Sequence, residues 1–114
     1  HETKALGREG GAIQRVRNYV EDQLETDFHL EDLSGLVDMN QFRLIRSFKK
    51  ETGQTPHAYV INRRIERAKR MMRAGATLAE VSVACGFYDQ SHLNRAFKKT
   101  VGVTPKVYRD ACLS

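Results

Sequence analysis

The sequence predicts an all-helical chain of about seven helices, in which two copies of one helical unit are joined by a long helix. Apolar residues recur at helical spacing along most of the 114 residues. Residues that start and stop helices separate these periods, and no alternating strand pattern competes with them. The second half of the chain also repeats residues of the first half.

The first predicted helix begins at Ala12, because apolar residues recur at helical spacing from there to Leu24. Residues 1–11 carry no such period, so we predict that they are the remnant of a linker from a preceding segment. A second, short helix is predicted between Leu30 and Val37, where leucines recur at the same spacing.

Asn40 is suited to cap the third helix, which Gly53 ends. Thr55 followed by Pro56 is a strong start signal for the fourth, since proline fits the first helical position. The apolar stripe of this helix continues until Gly75. The fourth helix is therefore predicted to be long, and it is also basic.

Thr77 and Glu80 have the spacing of a capping box and open the fifth helix. Asp89 is suited to cap the sixth, which ends before Gly102. Thr104 and the proline after it repeat the start signal of the fourth helix and open the last one.

The repeat is the main evidence for function. Residues 41–59 and 90–108 are identical at ten of nineteen positions, at an offset of 49 residues. Upstream of these segments the match continues at an offset of 48 residues. The turn of the second copy is therefore one residue longer. A helix, a tight turn and a capped basic helix form a helix-turn-helix motif, whose second helix enters the major groove of DNA. We divide the chain into a linker remnant at 1–11, a first helix-turn-helix subdomain at 12–54, a connecting helix at 55–75 and a second subdomain at 76–112.

The net charge of +5 is concentrated in one part of the chain. Residues 41–75 hold ten basic and two acidic residues, whereas residues 1–40 hold four basic and nine acidic ones. A basic block of this kind favours a polyanionic partner.

Other classes of protein lack support in the sequence. A nucleophile with an ordered base, a phosphate-binding glycine loop and a metal motif are all missing, so we expect no enzyme, no cofactor and no metal. No apolar run approaches the roughly 20 residues that span a bilayer, so we expect a cytoplasmic protein without membrane contact. Cys85 and Cys112 are too isolated for a zinc site and are predicted to be inert and at least partly buried.

The residues opposite the apolar side of each capped helix are the candidate DNA contacts. Arginine can pair with guanine, Asn and Gln with adenine, and apolar side chains can meet the thymine methyl group. Lysines suit phosphates better than bases. The predicted base contacts are Gln41, Phe42, Ile45, Arg46, Gln90, Ser91, His92, Asn94 and Arg95. The predicted phosphate contacts are Lys49, Lys50, Lys98 and Lys99.

Several of these residues have a second interpretation. Arg46 and Arg95 can lie on a solvated helix face, although their repeated placement favours DNA contact. Phe42 and Ile45 can pack onto the core instead of meeting thymine. The basic run of the connecting helix is predicted to be a solvated surface with incidental phosphate contacts, and it comprises Arg63, Arg64, Arg67, Lys69, Arg70 and Arg73.

The chain resembles the AraC/XylS family of transcription regulators from residue 12 to residue 110. The likeness is carried by Ala84-Cys85-Gly86-Phe87, Asp89-Gln90-Ser91-His92, Arg95-Ala96-Phe97-Lys98 and Gly102-Val103-Thr104-Pro105, and in the first copy by residues 46–53 and 55–59. The resemblance implies an activator of transcription that contacts RNA polymerase. It also implies a separate N-terminal domain for sensing or dimerisation, so that this domain is a monomer and the whole protein can be a dimer.

The two motifs are predicted to differ in how strongly they read bases. The first has Gly35 within a helix and Ile45 among its contacts. At the turn position where φ is predicted to be positive it has Asp38, which tolerates that conformation at some cost, whereas the second has Gly86. We therefore expect the second motif to discriminate more strongly between base sequences.

The connecting helix sets the spacing between the two motifs. With about 19 residues it spans roughly 28 Å, close to the roughly 34 Å between major grooves on one face of DNA. The alternative function is a module that binds a partner protein and not DNA.

Overall fold

The computed structural model describes the backbone of residues 2–114 and the side chains from residue 10 onward. In this range the chain has seven helices and no strand, which confirms the predicted fold class. The helices are α1 Glu2–Asp22, α2 Leu30–Val37, α3 Gln41–Thr52, α4 Pro56–Arg73, α5 Leu78–Ala84, α6 Gln90–Val101 and α7 Pro105–Leu113. They form two compact units. The first comprises the chain up to Gln23 and Asp27–Val60, and the second comprises Leu24–Thr26 and Ile61–Ser114.

Helix α1 begins at Glu2, ten residues earlier than the apolar period predicts. Most residues ahead of the glycine pair at 10–11 are strong helix formers, and glycine inside a helix costs only about 1 kcal/mol relative to alanine. His1 of the predicted linker lies outside the described residues, and a connection to a preceding segment stays a prediction. Ile13, Val16 and Val20 of α1 are buried, as their spacing predicts.

The first unit packs α1, α2 and α3 against one another. Leu44 and Phe48 of α3 are completely buried, together with Val16 of α1. The rings of Phe48 and Tyr59 pack in a T-shaped, edge-on geometry with their centroids 5.2 Å apart. This contact ties the start of α4 to α3.

The second unit repeats this arrangement around a core that includes Ile65, Val81, Leu93 and Phe97. Phe97 meets Tyr108 in the same edge-on geometry, with their centroids 5.4 Å apart. The repeat in the sequence is therefore a repeat in packing, since the matched Phe and Tyr residues make the same contact in each unit.

The capping signals of the second unit act as predicted. The carboxylate of Glu80 accepts the backbone N–H of Thr77 at 2.9 Å, and the Thr77 hydroxyl accepts the N–H of Glu80 in return. The hydrogen bond from the Thr77 backbone lowers the pKa of Glu80 from its ordinary value. Thr104 caps α7 by accepting the N–H of Val107.

The prediction that Arg64 lies on a solvated surface is wrong. Only 7% of this residue is exposed. Its Nε donates to the Leu24 carbonyl at 3.1 Å, and its Nη2 donates to the Thr26 carbonyl at 2.6 Å. Helix α1 ends at Asp22, so these carbonyls have left the helix and need another donor. The guanidinium supplies it, because it can reach two acceptors at once.

Gly86 lies against the same carbonyl. A Cβ atom at this position would be 2.3 Å from the Leu24 oxygen and 3.0 Å from Arg64 Nε, and the φ angle is +82°. Only glycine satisfies both requirements, since other L-residues are strained at this φ and carry the Cβ atom. The sequence predicted the positive φ angle at Gly86, and also the left-handed Asp38 with φ of 55° in the first motif. It did not predict the close approach to Leu24.

The rest of the basic run is mixed in its exposure. Arg67 is half-buried, donates to the Ala84 carbonyl at 3.3 Å and pairs with Glu25 at 3.6 Å. Arg70 and Arg73 are exposed, as predicted. Arg67 therefore links the connecting helix to the end of α5.

The two cysteines differ in their exposure to solvent. Cys85 is buried, as predicted, and burial raises the pKa of its thiol to about 11, which disfavours the reactive thiolate. Cys112 is exposed on the last turn of α7, so the prediction that it is partly buried is wrong.

We expect Gly86→Ala to destabilise the protein by more than about 3 kcal/mol, because it adds a steric overlap to backbone strain. Gly102→Ala is the matched control, since Gly102 has φ of +98° with no atom within 4 Å of the added Cβ. Backbone strain alone should lower the free energy of unfolding of Gly102→Ala by about 1–2 kcal/mol. Urea denaturation monitored by circular dichroism measures the free energy of unfolding of both variants. Equal losses would show that the Leu24 contact has no effect.

Arg64→Met should also lower the free energy of unfolding, since two carbonyls lose their donor at roughly 1–3 kcal/mol each. Arg64→Lys should recover part of the loss, because its ammonium group can reach one of them. Arg70→Met, an exposed arginine on the same helix, should stay within about 0.5 kcal/mol of wild type. The prediction fails if the Arg64→Met and Arg70→Met variants unfold at the same urea concentration.

Candidate nucleic-acid interface

Side-chain caps fix where the two candidate recognition helices begin. The Asn40 side chain accepts the N–H of Arg43 at 2.8 Å at the start of α3. Asp89 accepts the N–H of His92 at 2.8 Å at the start of α6. Both caps were predicted from the sequence. They set the position of the first-turn side chains, which are the ones that reach base edges in helix-turn-helix proteins.

Helix α6 presents a polar stripe opposite its buried side. Leu93 and Phe97 are completely buried. The stripe on the other side is exposed, and it consists of Ser91, Asn94, Arg95 and Lys98. A hydroxyl, an amide and a guanidinium can each form hydrogen bonds with base edges in the major groove. The stripe therefore offers the chemistry for reading bases.

The corresponding stripe of α3 is partly apolar. Phe42 is 75% exposed, so the alternative that it packs onto the core is wrong. Arg46 and Lys49 are exposed as well, whereas Ile45 is half-buried. Ile45 matches Asn94 of the second motif, and there the side chain is exposed and polar. The first stripe therefore has fewer hydrogen-bonding groups than the second.

All thirteen predicted contacts lie on α3 or α6. Eleven are exposed, and only Ile45 and His92 are half-buried. Each helix gathers its own contacts on one surface, and the two helices belong to different units. The four predicted phosphate contacts lie in the last turns of their helices, where the helix dipole favours positive charge. Their exposure leaves the ammonium groups accessible to an anion.

His92 is held largely by its neighbours. Its ring stacks on Tyr88 with centroids 5.3 Å apart and meets the edge of Phe87 at the same distance. Its Nδ1 accepts the backbone N–H of Tyr88 at 3.2 Å. His92 therefore stabilises the turn before α6, and its contact with a base stays a prediction.

Tyr88 is the residue that sequence reasoning missed. It is 79% exposed and lies two residues before the start of α6. The available signal was the extra residue in the second turn. Three residues after the left-handed Gly86 comes the cap Asp89, whereas Asn40 is only two residues after Asp38. The longer turn leaves room for a buried Phe87 and an exposed Tyr88.

The described residues offer little for other kinds of site. Among the side chains from residue 10 onward, no three His, Cys, Asp or Glu residues are arranged to hold a metal ion. None of the helices in residues 2–114 combines the length and apolar character needed to cross a bilayer.

The chain is similar to transcription regulators in sequence and in structure. A family model described as a helix-turn-helix domain matches residues 33–111. The multiple antibiotic resistance protein MarA of Salmonella typhimurium is 32% identical over 98 residues, which cover 85% of this chain and 77% of MarA. The transcriptional activator NphR of a Rhodococcus species is 32% identical over 99 residues, covering 85% of this chain and 29% of NphR.

The DNA-binding domain of AdpA, a global transcriptional factor solved in complex with a target DNA, has the same fold. It superposes with a TM-score of 0.82 at 27% identity, over 87% of this chain and 90% of that domain. This chain spans between 30% and 38% of the length of the first three curated relatives it matches. In these three relatives the similarity therefore concerns one part of a longer protein.

Proposed function

The chain belongs to the AraC/XylS family of helix-turn-helix transcription regulators, and we propose that it reads double-stranded DNA through α3 and α6. The family consists of DNA-binding regulators and not of enzymes, so the prediction of a non-enzyme is confirmed. Sequence-specific DNA binding in transcription regulation is the function of this domain. The residues that contact DNA, the spacing of the two sites and the partners are the parts that we propose.

One observation supports these contacts above all. Two capped helices, at matching positions of a repeat, each expose a stripe with one arginine and one lysine at the same places. Arg46 and Arg95 are the proposed base readers, and Lys49 and Lys98 bind phosphates. A solvated surface requires no such repetition. We propose that the two helices occupy successive major grooves.

We also propose partners for the whole protein. It activates transcription by contacting RNA polymerase, in line with its relative NphR, which is a transcriptional activator. The domain itself acts as a monomer, because it carries two motifs where single-motif proteins need two subunits. Any dimerisation of the whole protein would then use another domain. The site of action is the cytoplasm, where bacterial DNA lies.

Selection from random duplexes of about 25 base pairs, followed by sequencing of the bound pool, tests this proposal. We expect two enriched boxes whose centres are about 10 to 10.5 base pairs apart. The box read by α6 should be the more sharply defined, since Ile45 leaves the α3 stripe with fewer hydrogen-bonding groups. A single box would contradict paired reading. Equally sharp boxes would contradict the proposed difference between motifs.

Salt distinguishes DNA binding from the alternative of a protein-interaction module. Contacts with several phosphates make the logarithm of affinity fall steeply with the logarithm of salt concentration. Salt-sensitive binding without enrichment would indicate a nonspecific DNA-binding domain. Absence of binding to any duplex would favour the protein-interaction module, whose apolar contacts are far less sensitive to salt.

Substitution of single contacts should separate base reading from phosphate binding. We expect Arg95→Ala to cost about 1–3 kcal/mol on the selected duplex and to relax the preference at one base position. Lys98→Ala should weaken binding to all duplexes alike and lower the salt slope by about 1. Arg15→Ala removes an exposed charge from α1 and should leave the base preferences unchanged. Fluorescence anisotropy with each variant measures these effects, and equal losses on every duplex for both contacts would refute the division.

A further inference from the structure

We propose that Tyr88 binds the DNA backbone, with its phenolic hydroxyl donating to a phosphate beside the N-terminus of α6. The inference rests on the proposed function, since it assigns a further contact to the same DNA-binding surface. It depends on the exposure of the ring, on the way the ring is held and on its position relative to the recognition helix.

The Tyr88 ring is both accessible and ordered. It is 79% exposed, yet it stacks on His92 at an interplanar angle of 28° with centroids 5.3 Å apart. The backbone N–H of Tyr88 is bound by Nδ1 of the same histidine. His92 is in turn held against Phe87, which is buried. An aromatic ring held in this way loses little conformational freedom when it binds a ligand.

The stack continues a line of proposed DNA contacts. Arg95 and Lys99 follow His92 by three and seven residues. All three therefore lie along one flank of α6. Arg95 and Lys99 are exposed on that flank. Because Tyr88 stacks on His92, its ring extends this flank beyond the first turn of the helix. Helix N-termini and tyrosine side chains are both among the groups that donate to DNA phosphates.

The second motif alone has this feature. Its turn is one residue longer than that of the first motif, and the exposed aromatic side chain occupies the longer turn. The corresponding part of the first turn contains Met39, which is half-buried and has no hydrogen-bond donor in its side chain. Tyr88 would therefore strengthen the binding of α6 specifically.

A neutral donor gives the contact a recognisable signature. Lysine contacts release counterions, so removing one lowers the salt slope. Removing a phenolic hydroxyl changes no charge. It should weaken binding to every duplex alike while leaving the salt slope as it was, and neither Arg95→Ala nor Lys98→Ala has that combination of effects.

Fluorescence anisotropy tests the contact with two labelled 25-base-pair duplexes, one enriched by selection with the wild-type chain and one of shuffled sequence. We expect Tyr88→Phe to weaken both complexes by about 3- to 10-fold, the range for one lost hydrogen bond. The salt slope should be unchanged. Tyr19→Phe is the matched control, because it removes a hydroxyl from α1 and should leave both affinities at the wild-type value.

Three results would overturn the assignment: Tyr88→Phe binds both duplexes as tightly as wild type, it changes the preference at one base position, or it changes the salt slope. The urea midpoints of both variants confirm that they are folded. Wild-type protein that binds neither duplex would overturn the proposed function and this contact together. Wild-type binding with an unaffected Tyr88→Phe variant would overturn only the contact.

Discussion

The close approach of Gly86 to the Leu24 carbonyl sets the geometry of the second unit. That oxygen lies where a side chain at position 86 would begin, and it also accepts a hydrogen bond from Arg64. The turn between α5 and α6 is thus held against the connecting helix and against the segment at 24–26. This turn fixes where α6 starts. One backbone contact therefore determines the position of the proposed base-reading side chains of α6. A larger residue at position 86 would have to move all three elements.

Around this constraint the two units use the same local devices with different details. Each candidate recognition helix starts at a capping Asn or Asp, and each connects to the next helix through a threonine cap and an edge-on Phe and Tyr pair. The turns differ, because the first uses a left-handed aspartate and the second a glycine followed by one more residue. The additional residue allows the second turn to hold a stack of aromatic side chains. The asymmetry between the motifs is therefore built into their turns as well as into their exposed stripes.

The candidate site was largely predictable because it depends on helical periodicity. With the apolar side of each capped helix turned toward the core, the opposite stripe follows from the geometry of the helix. The choices left open were decided by packing. Phe42 stays exposed although it is strongly apolar, while Ile45 turns partly inward. No local pattern distinguishes these outcomes, because they depend on how much space the neighbouring helices leave.

Apart from the start of α1, the sequence by itself determined the helices, their caps and the repeat, since these depend on residues within a few positions of one another. It also determined the surface that carries the proposed contacts. Only the tertiary structure decided that Arg64 is buried and that Gly86 touches a carbonyl more than sixty positions earlier in the chain. It also decided that Tyr88 is held by His92 while remaining exposed. The physical reason is that charge and periodicity are local properties, which define the faces of a helix. Hydrogen bonds to carbonyls beyond a helix end depend instead on which distant segment packs against them.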